Sequence, residues 1–249
     1  MATIHLSLLA LALYLGAHTF RCVRLYVLSL GERKGGARLV AAHCLTVWAN
    51  AVIPFKLGEI LRIAGFGAAM KSPTTGGSIW LIERFSDAVA ILVVVGGVSL
   101  FFPPAQDTMI ALGVAGGFIL ASCLGAWVLS EIVPFLRRDL ILRSRSRKGL
   151  MALHLVDFVD QAMAQARRLL VGRFSLTLLI GLIIWALEIG AMFIWTACAA
   201  DAAEMAAGFL FGSHTRAAAL RLPAFIAFTA FGFIILGGVA VQIRRHRHA

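Results

Sequence analysis

Pro54-Phe55-Lys56-Leu57-Gly58-Glu59-Ile60-Leu61-Arg62 places a proline, a glycine and three charged side chains within nine residues. The chain around this stretch is strongly apolar. A broken helix frees N–H and C=O groups, and hydrocarbon offers them no partner. Such backbone therefore survives at membrane depth only when it is buried in protein or lines a wet cavity. Shortly downstream, Glu83-Arg84-Phe85-Ser86-Asp87 opens a second apolar run with three more charges. Ionisable groups inside membrane segments are costly, so their presence marks a site by default.

Composition fixes the broad class. Of 249 residues, 60% are apolar and only 14% are charged, which is too few charges for a soluble domain of this length. Apolar runs at 4–20, 78–102, 109–129, 174–200 and 218–241 approach the roughly 20 residues needed to span a bilayer. The expectation is an all-α, polytopic helical membrane protein forming one integral-membrane domain over 1–249. The formal net charge of +11 does not indicate nucleic acid. Its basic residues flank apolar runs, where they set topology and meet anionic headgroups. The first run has no basic stretch before it, so a cleaved signal peptide is not expected.

Loop charge decides the role of the short run 40–55. Lys and Arg concentrate at 21–38, 137–173 and 244–247, and all three regions should face the cytoplasm. Three crossings between the first two regions would put the second outside. If 38–71 enters the membrane and returns, the parity works. The reading is about five spans plus a re-entrant broken-helix hairpin, with the N-terminus outside and the C-terminus in the cytoplasm. Residues 131–173 then form a cytoplasmic connector. Its second half is amphipathic, and Arg137, Arg138, Arg143, Arg145, Arg147 and Lys148 suit it to anionic lipid headgroups at the inner surface.

The candidate site comes from helical spacing. Glu83 and Asp87 are four apart and Arg84 is three from Asp87, so the three share one face. Lys56, Glu59 and Arg62 recur at threes. Pro54 suits a first helical turn, and a half-helix starting there would aim free N–H groups and a positive dipole end at an anion. Together these six residues carry no net charge, which fits a zwitterion, or a phosphate with an amine nearby. Glu188, deep in its span, should either pair with a cation from another segment or be protonated. Arg84 is expected to pair with Glu83 or Asp87 and with Glu59. Arg21 and Arg24 read as topology anchors and Ser72–Gly77 as a loop. The histidines form no ligand pattern, and the cysteines read as scattered packing residues. No nucleophile triad, phosphate loop or metal motif is visible, so neither an enzyme nor a cofactor is expected.

Asn50-x-x-x-Pro54-x-Lys56-Leu57-Gly58-Glu59-x-x-Arg62, followed by Glu83-Arg84-x-x-Asp87, resembles the lysylphosphatidylglycerol-synthase transmembrane, or flippase-like, family. Trp185-x-x-Glu188 is similar to it as well. The resemblance implies helical proteins that move lipids between leaflets of a bacterial inner membrane, with broken helices lining the lipid cavity. It implies headgroups of the phospholipid or polyprenyl-phosphate type and a site at Lys56, Glu59, Arg62, Glu83, Arg84, Asp87 and Glu188. Two departures bear on function. Arg221-Leu222-Pro223-Ala224-Phe225 lacks the glycines of a later family motif, and no synthetase domain is expected. The alternative is a structural or assembly subunit of a larger membrane complex. Association with other membrane proteins or with copies of itself stays open.

Overall fold

The computed structural model describes residues 2–30, 35–47, 57–101, 106–143 and 147–196. Among them are seven helices: α1 Ala2–Leu28, α2 Gly36–Thr46, α3 Leu57–Met70, α4 Pro73–Ser99, α5 Gln106–Arg143, α6 Arg147–Leu170 and α7 Phe174–Thr196. No strand occurs among the described residues. Three stretches are long and apolar enough to cross a membrane: Leu8–Leu28, Thr108–Leu142 and Phe174–Ile194. The chain is an all-α membrane protein. Helix α4 has 27 residues, length enough for a span, but it carries Glu83, Arg84 and Asp87 in its interior. The expected span 218–241, and Pro54 and Lys56, lie outside the described residues.

Helix α4 is the centre of the packing. It lies against α3, α5, α6 and α7, while α1 runs along α7 and touches α2. One buried cluster joins Ala17 of α1, Ala90, Ile91 and Val95 of α4, and Ile180, Ile184 and Trp185 of α7. Lipid tails are as apolar as leucine, so these contacts stabilise by close packing rather than by escape from water. A second cluster gathers Leu25 and Leu28 near the end of α1, Leu39 at the start of α2, Phe66 near the end of α3, Ile79 early in α4, and Leu169. The start of α2 and the end of α3 therefore lie at the same end of the bundle. Helix α2 has 11 residues. At about 1.5 Å per residue, that is close to half of a roughly 30 Å hydrocarbon layer.

The turn between α3 and α4 is tightly specified. Lys71 adopts φ 55°, the left-handed conformation that ends many helices. Ser72 N–H donates to Gly67 C=O at 3.0 Å and Lys71 N–H to Ala68 C=O at 3.3 Å, which completes a Schellman cap. The Ser72 hydroxyl then accepts from the Thr75 N–H at 3.2 Å, and Pro73 opens α4, where its missing N–H costs nothing. The expected loop at Ser72–Gly77 is thus corrected. Ser72 is an N-cap, and the residues after it are helical. Serine, proline and glycines read as loop punctuation, but here they start a helix and allow its close approach to α3.

The described residues of the expected connector, 131–173, fall mostly on two helices. Helix α5 continues unbroken through 131 to Arg143 and includes Pro134. Its apolar window is only 6% buried, with Leu120, Leu124 and Trp127 exposed, as suits a face against lipid tails. Helix α6 is the expected amphipathic helix. Its last turns dock on protein through Leu169, with Ala166 and Leu170 beside the same cluster. Ser78 Oγ donates to Ala162 C=O at 2.9 Å. Leu150, Met151, Leu155 and Phe158 at its other end stay exposed. At the turn into α7, Gly172 takes φ 69°. Arg173 donates to Leu28 C=O at 3.2 Å and Leu30 C=O at 3.1 Å, placing a cation at the negative end of α1.

The α3–α4 contact makes a direct test. A Cβ on Gly76 would lie 2.3 Å from Gly67 N and 2.6 Å from Gly67 Cα, whereas a Cβ on Gly77 would meet nothing within 4 Å. Gly76→Ala is expected to lower stability in thermal unfolding by about 1–3 kcal/mol, the usual range for overpacking. Gly77→Ala is expected to be neutral or to stabilise by about 0.5–1 kcal/mol through helix propensity. Equal effects at the two positions would contradict the packing.

Candidate functional site

The α3–α4 hairpin sets the register of the charges. Its arms are antiparallel, and residues at nearly equal sequence distance from Ser72 face one another. Phe66 and Ile79 pack together in one cluster, Arg62 meets Glu83, and Glu59 meets Arg84. The two motifs are therefore one site seen from two helices. The close approach at Gly67 and Gly76 holds the arms in that alignment.

Glu83 is fully buried and held between two arginines. Its Oε1 accepts from Arg24 Nη2 at 3.1 Å and from Arg62 Nη2 at 3.0 Å. Its Oε2 accepts from Arg62 at 2.9 Å. Asp87, one turn further along α4, accepts from Arg24 Nη1 at 2.8 Å. Its other oxygen lies 3.3 Å from Arg84 Nη2. Arg24 itself is fully buried. Its planar fork serves both carboxylates at once, a geometry a lysine cannot reproduce. Arg62 also stacks over Phe66, 5.4 Å from the ring centroid, and its Nη2 donates to His43 Nδ1 at 3.1 Å.

Towards the edge the network loosens. Arg84 and Glu59 are 3.8 Å apart, with side chains 29% and 19% exposed. That separation is beyond a hydrogen bond. Glu59 accepts from Trp80 Nε1 instead. On the other side, Arg21 pairs with Glu188 of α7, and both are buried. Four arginines thus meet four carboxylates: three of each form one connected network over α1, α3 and α4, and the Arg21–Glu188 pair beside it reaches α7, within the field of Asp87. Moving a charge into a low-dielectric interior costs several kcal/mol per ion, and only good geometry with further hydrogen bonds offsets it. Each acid here has an arginine, so the cluster is neutral as a whole.

The sequence expectations sort clearly against this geometry. Glu59, Arg62, Glu83, Arg84 and Asp87 come together directly, and Glu188 pairs with Arg21 beside them. Lys56 and the half-helix start near Pro54 lie outside the described residues. Arg84 pairs with Asp87 and Glu59 as expected. Glu83, however, takes its counter-charges from Arg24 and Arg62 rather than from its sequence neighbour. The reading of Arg21 and Arg24 as topology anchors is overturned. Both are buried ion-pair partners, three apart on one face of α1. That spacing was visible, but their place at the end of an apolar run gave the commoner explanation. His43 was also missed, since nothing in its apolar surroundings signals a contact with Arg62. Cys22 and Cys44, distant in sequence, share one buried cluster and keep a packing role. Among the described residues, no group of His, Cys, Asp and Glu is arranged to hold a metal ion.

Comparison with known proteins gives one match. No curated protein and no solved structure matches the chain. The sequence model of the family described as lysylphosphatidylglycerol synthase TM region matches residues 1–200, a range that contains every arginine and carboxylate of the network. The match covers most of the 249 residues, so the chain belongs to the lysylphosphatidylglycerol synthase transmembrane-region family.

Proposed function

We propose that this membrane protein is a flippase-like transporter that moves a charged or glycosylated lipid between the leaflets of a bacterial inner membrane. The observation that carries the reading is the neutral, buried cluster of four arginines and four carboxylates with one loose edge. A pair held at 3.8 Å and partly open to its surroundings is easier to separate than the close, buried pairs beside it. A headgroup phosphate competes well for such an arginine, since charge-assisted bonds to phosphate are among the strongest available. An amine or sugar hydroxyl on the same headgroup can engage the freed Glu59. Partners are exchanged, and no ion is left alone in the membrane. The acyl tails stay in the bilayer throughout.

The hairpin of α2 and α3 supports the same reading. We take it to be re-entrant, with Arg38 and Lys71 both cytoplasmic, the N-terminus outside and the C-terminus inside. Such broken helices can move relative to full spans while keeping their backbone groups covered. The reaction is a change of position, and no bond is made or broken. The second reading, an assembly subunit of a larger membrane complex, draws on the barely buried α5. Its exposed face suits a neighbouring helix as well as lipid.

Two variants separate the readings. Arg24 is fully buried between two acids. Arg24→Ala is expected to cost about 3–5 kcal/mol and to lower Tm by roughly 6–20 °C. Arg84 sits at the loose edge. Arg84→Lys is expected to leave Tm within about 2 °C of wild type. It should nonetheless slow translocation of a fluorescent phosphatidylglycerol in proteoliposomes by about tenfold or more, because the fork that bridges two acceptors is lost. Loss of transport only in proportion to lost stability would favour the assembly subunit.

Topology has its own test. Single cysteines introduced as Arg38→Cys and Lys71→Cys are expected to react with a membrane-impermeant maleimide from the cytoplasmic side only. Reaction of the two from opposite sides would make the hairpin a full crossing and remove the re-entrant element from the proposal.

A further inference from the structure

The proposed transport site leaves one buried array of titratable groups unused. Tyr14, His18 and His43 are all at most 2% exposed. The rings of Tyr14 and His18 meet edge to face with centroids 4.7 Å apart. Those of His18 and His43 are 6.2 Å apart. His43 in turn touches Arg62 at 3.1 Å, and Arg62 holds Glu83. The array runs from α1 through α2 into the ion network.

The protonation state of His43 follows from its partner. Arginine carries five donors and no acceptor, so Nδ1 of His43 must accept and bears no proton. The ring here is neutral, with its hydrogen on Nε2. The charged and titratable groups around it are His18, Arg21 and Arg24 from α1 and Arg62 from α3. Tyr14 and Glu83 follow one contact further on. A proton added at Nδ1 turns the acceptor into a donor. The bond to Arg62 is lost, and two cations then face each other at about the contact distance. The Arg62 side chain is then pushed off His43 towards Glu83.

Charge balance gives this movement a ligand. With His43 neutral, the four arginines and four carboxylates leave no net charge. One proton makes the cluster positive by one. A phosphodiester headgroup, with one negative charge, restores neutrality and finds Arg62 released. We propose that His43, backed by His18, is a proton-binding site, and that a proton and an anionic phosphodiester headgroup enter this cluster together. The inference rests on the lipid-transport reading for its second half and on the His43–Arg62 geometry alone for its first.

The test uses the full chain purified in detergent, with phosphatidylglycerol as the probe lipid. In weakly buffered solution with a pH indicator, wild-type protein is expected to take up about one proton for each lipid bound. His43→Gln keeps a side-chain acceptor for Arg62 but cannot titrate in this range, so it is expected to bind lipid with no proton uptake. Nitrogen NMR of histidine-labelled protein is the independent arm. The signal absent from His43→Gln should respond to falling pH, and at a higher pH with phosphatidylglycerol bound than without it, and the Arg62 guanidinium signal should change with it. Lipid binding without proton uptake in the wild type, or equal uptake in His43→Gln, would overturn the coupling. A His43 signal that does not titrate would overturn the proton site. If His43 titrates with Arg62 while no lipid binds at any pH, the proton site stands, and the lipid-transport reading is the part that fails.

Discussion

Arg24 lies between Glu83 and Asp87, and the rest of the structure is arranged around that contact. Two carboxylates on one face of α4 are costly inside a membrane protein unless a cation meets both. Arg24 does so with separate nitrogens at 3.1 and 2.8 Å. That requirement draws α1 to α4. Arg21, three residues earlier on the same face, then reaches Glu188 and ties α1 to α7. Gly181 of α7 packs beside this contact at ordinary van der Waals distance. A side chain there would begin 3.4 Å from Ser86 C=O and 3.6 Å from Arg24 Nη1. The hairpin completes the set, because Arg62 closes the remaining side of Glu83.

The same arrangement accounts for a site that is firm at its centre and loose at its edge. Glu83, Asp87 and Glu188 are buried with close partners, while Arg84 and Glu59 meet at greater distance and with partial exposure. The α3–α4 turn is rigidly capped, and the two glycines lock the arms together. Among the described residues, His43 of α2 reaches the network at Arg62. A change at His43 therefore acts directly on the charged core. A lipid headgroup entering at the edge and a proton entering at His43 would approach the same arginine cluster from two sides.

Much of this was legible in the sequence because charge in an apolar chain is rare and has few explanations. The spacing of Glu83, Arg84 and Asp87 gave their common face, and the spacing of Glu59 and Arg62 gave the opposing one. The buried partners were not legible. Arg21 and Arg24 look the same whether they end a span at the interface or turn inward to an acid on another helix, and only the tertiary contact separates the two cases. Ser72-Pro73 is ambiguous in the same way. A capped helix start and a loop use the same residues, and the deciding fact is the close passage of Gly67 past Gly76. His43 carried no signal, since its role depends on a residue from another helix.

The central claim is that buried charges here are held by pairing across helices, and the Arg21–Glu188 pair tests it most directly. It links α1 to α7, and Glu188 has no other arginine among the described ion pairs. A double-mutant cycle with Arg21→Met and Glu188→Gln, read by unfolding in detergent, isolates the interaction. Each single variant should lose about 3–5 kcal/mol, because it strands the other partner. The double variant should lose markedly less than the two together, leaving a coupling of about 2–3 kcal/mol. Losses that add to within about 0.5 kcal/mol would mean that the two side chains do not depend on each other, and would contradict the account.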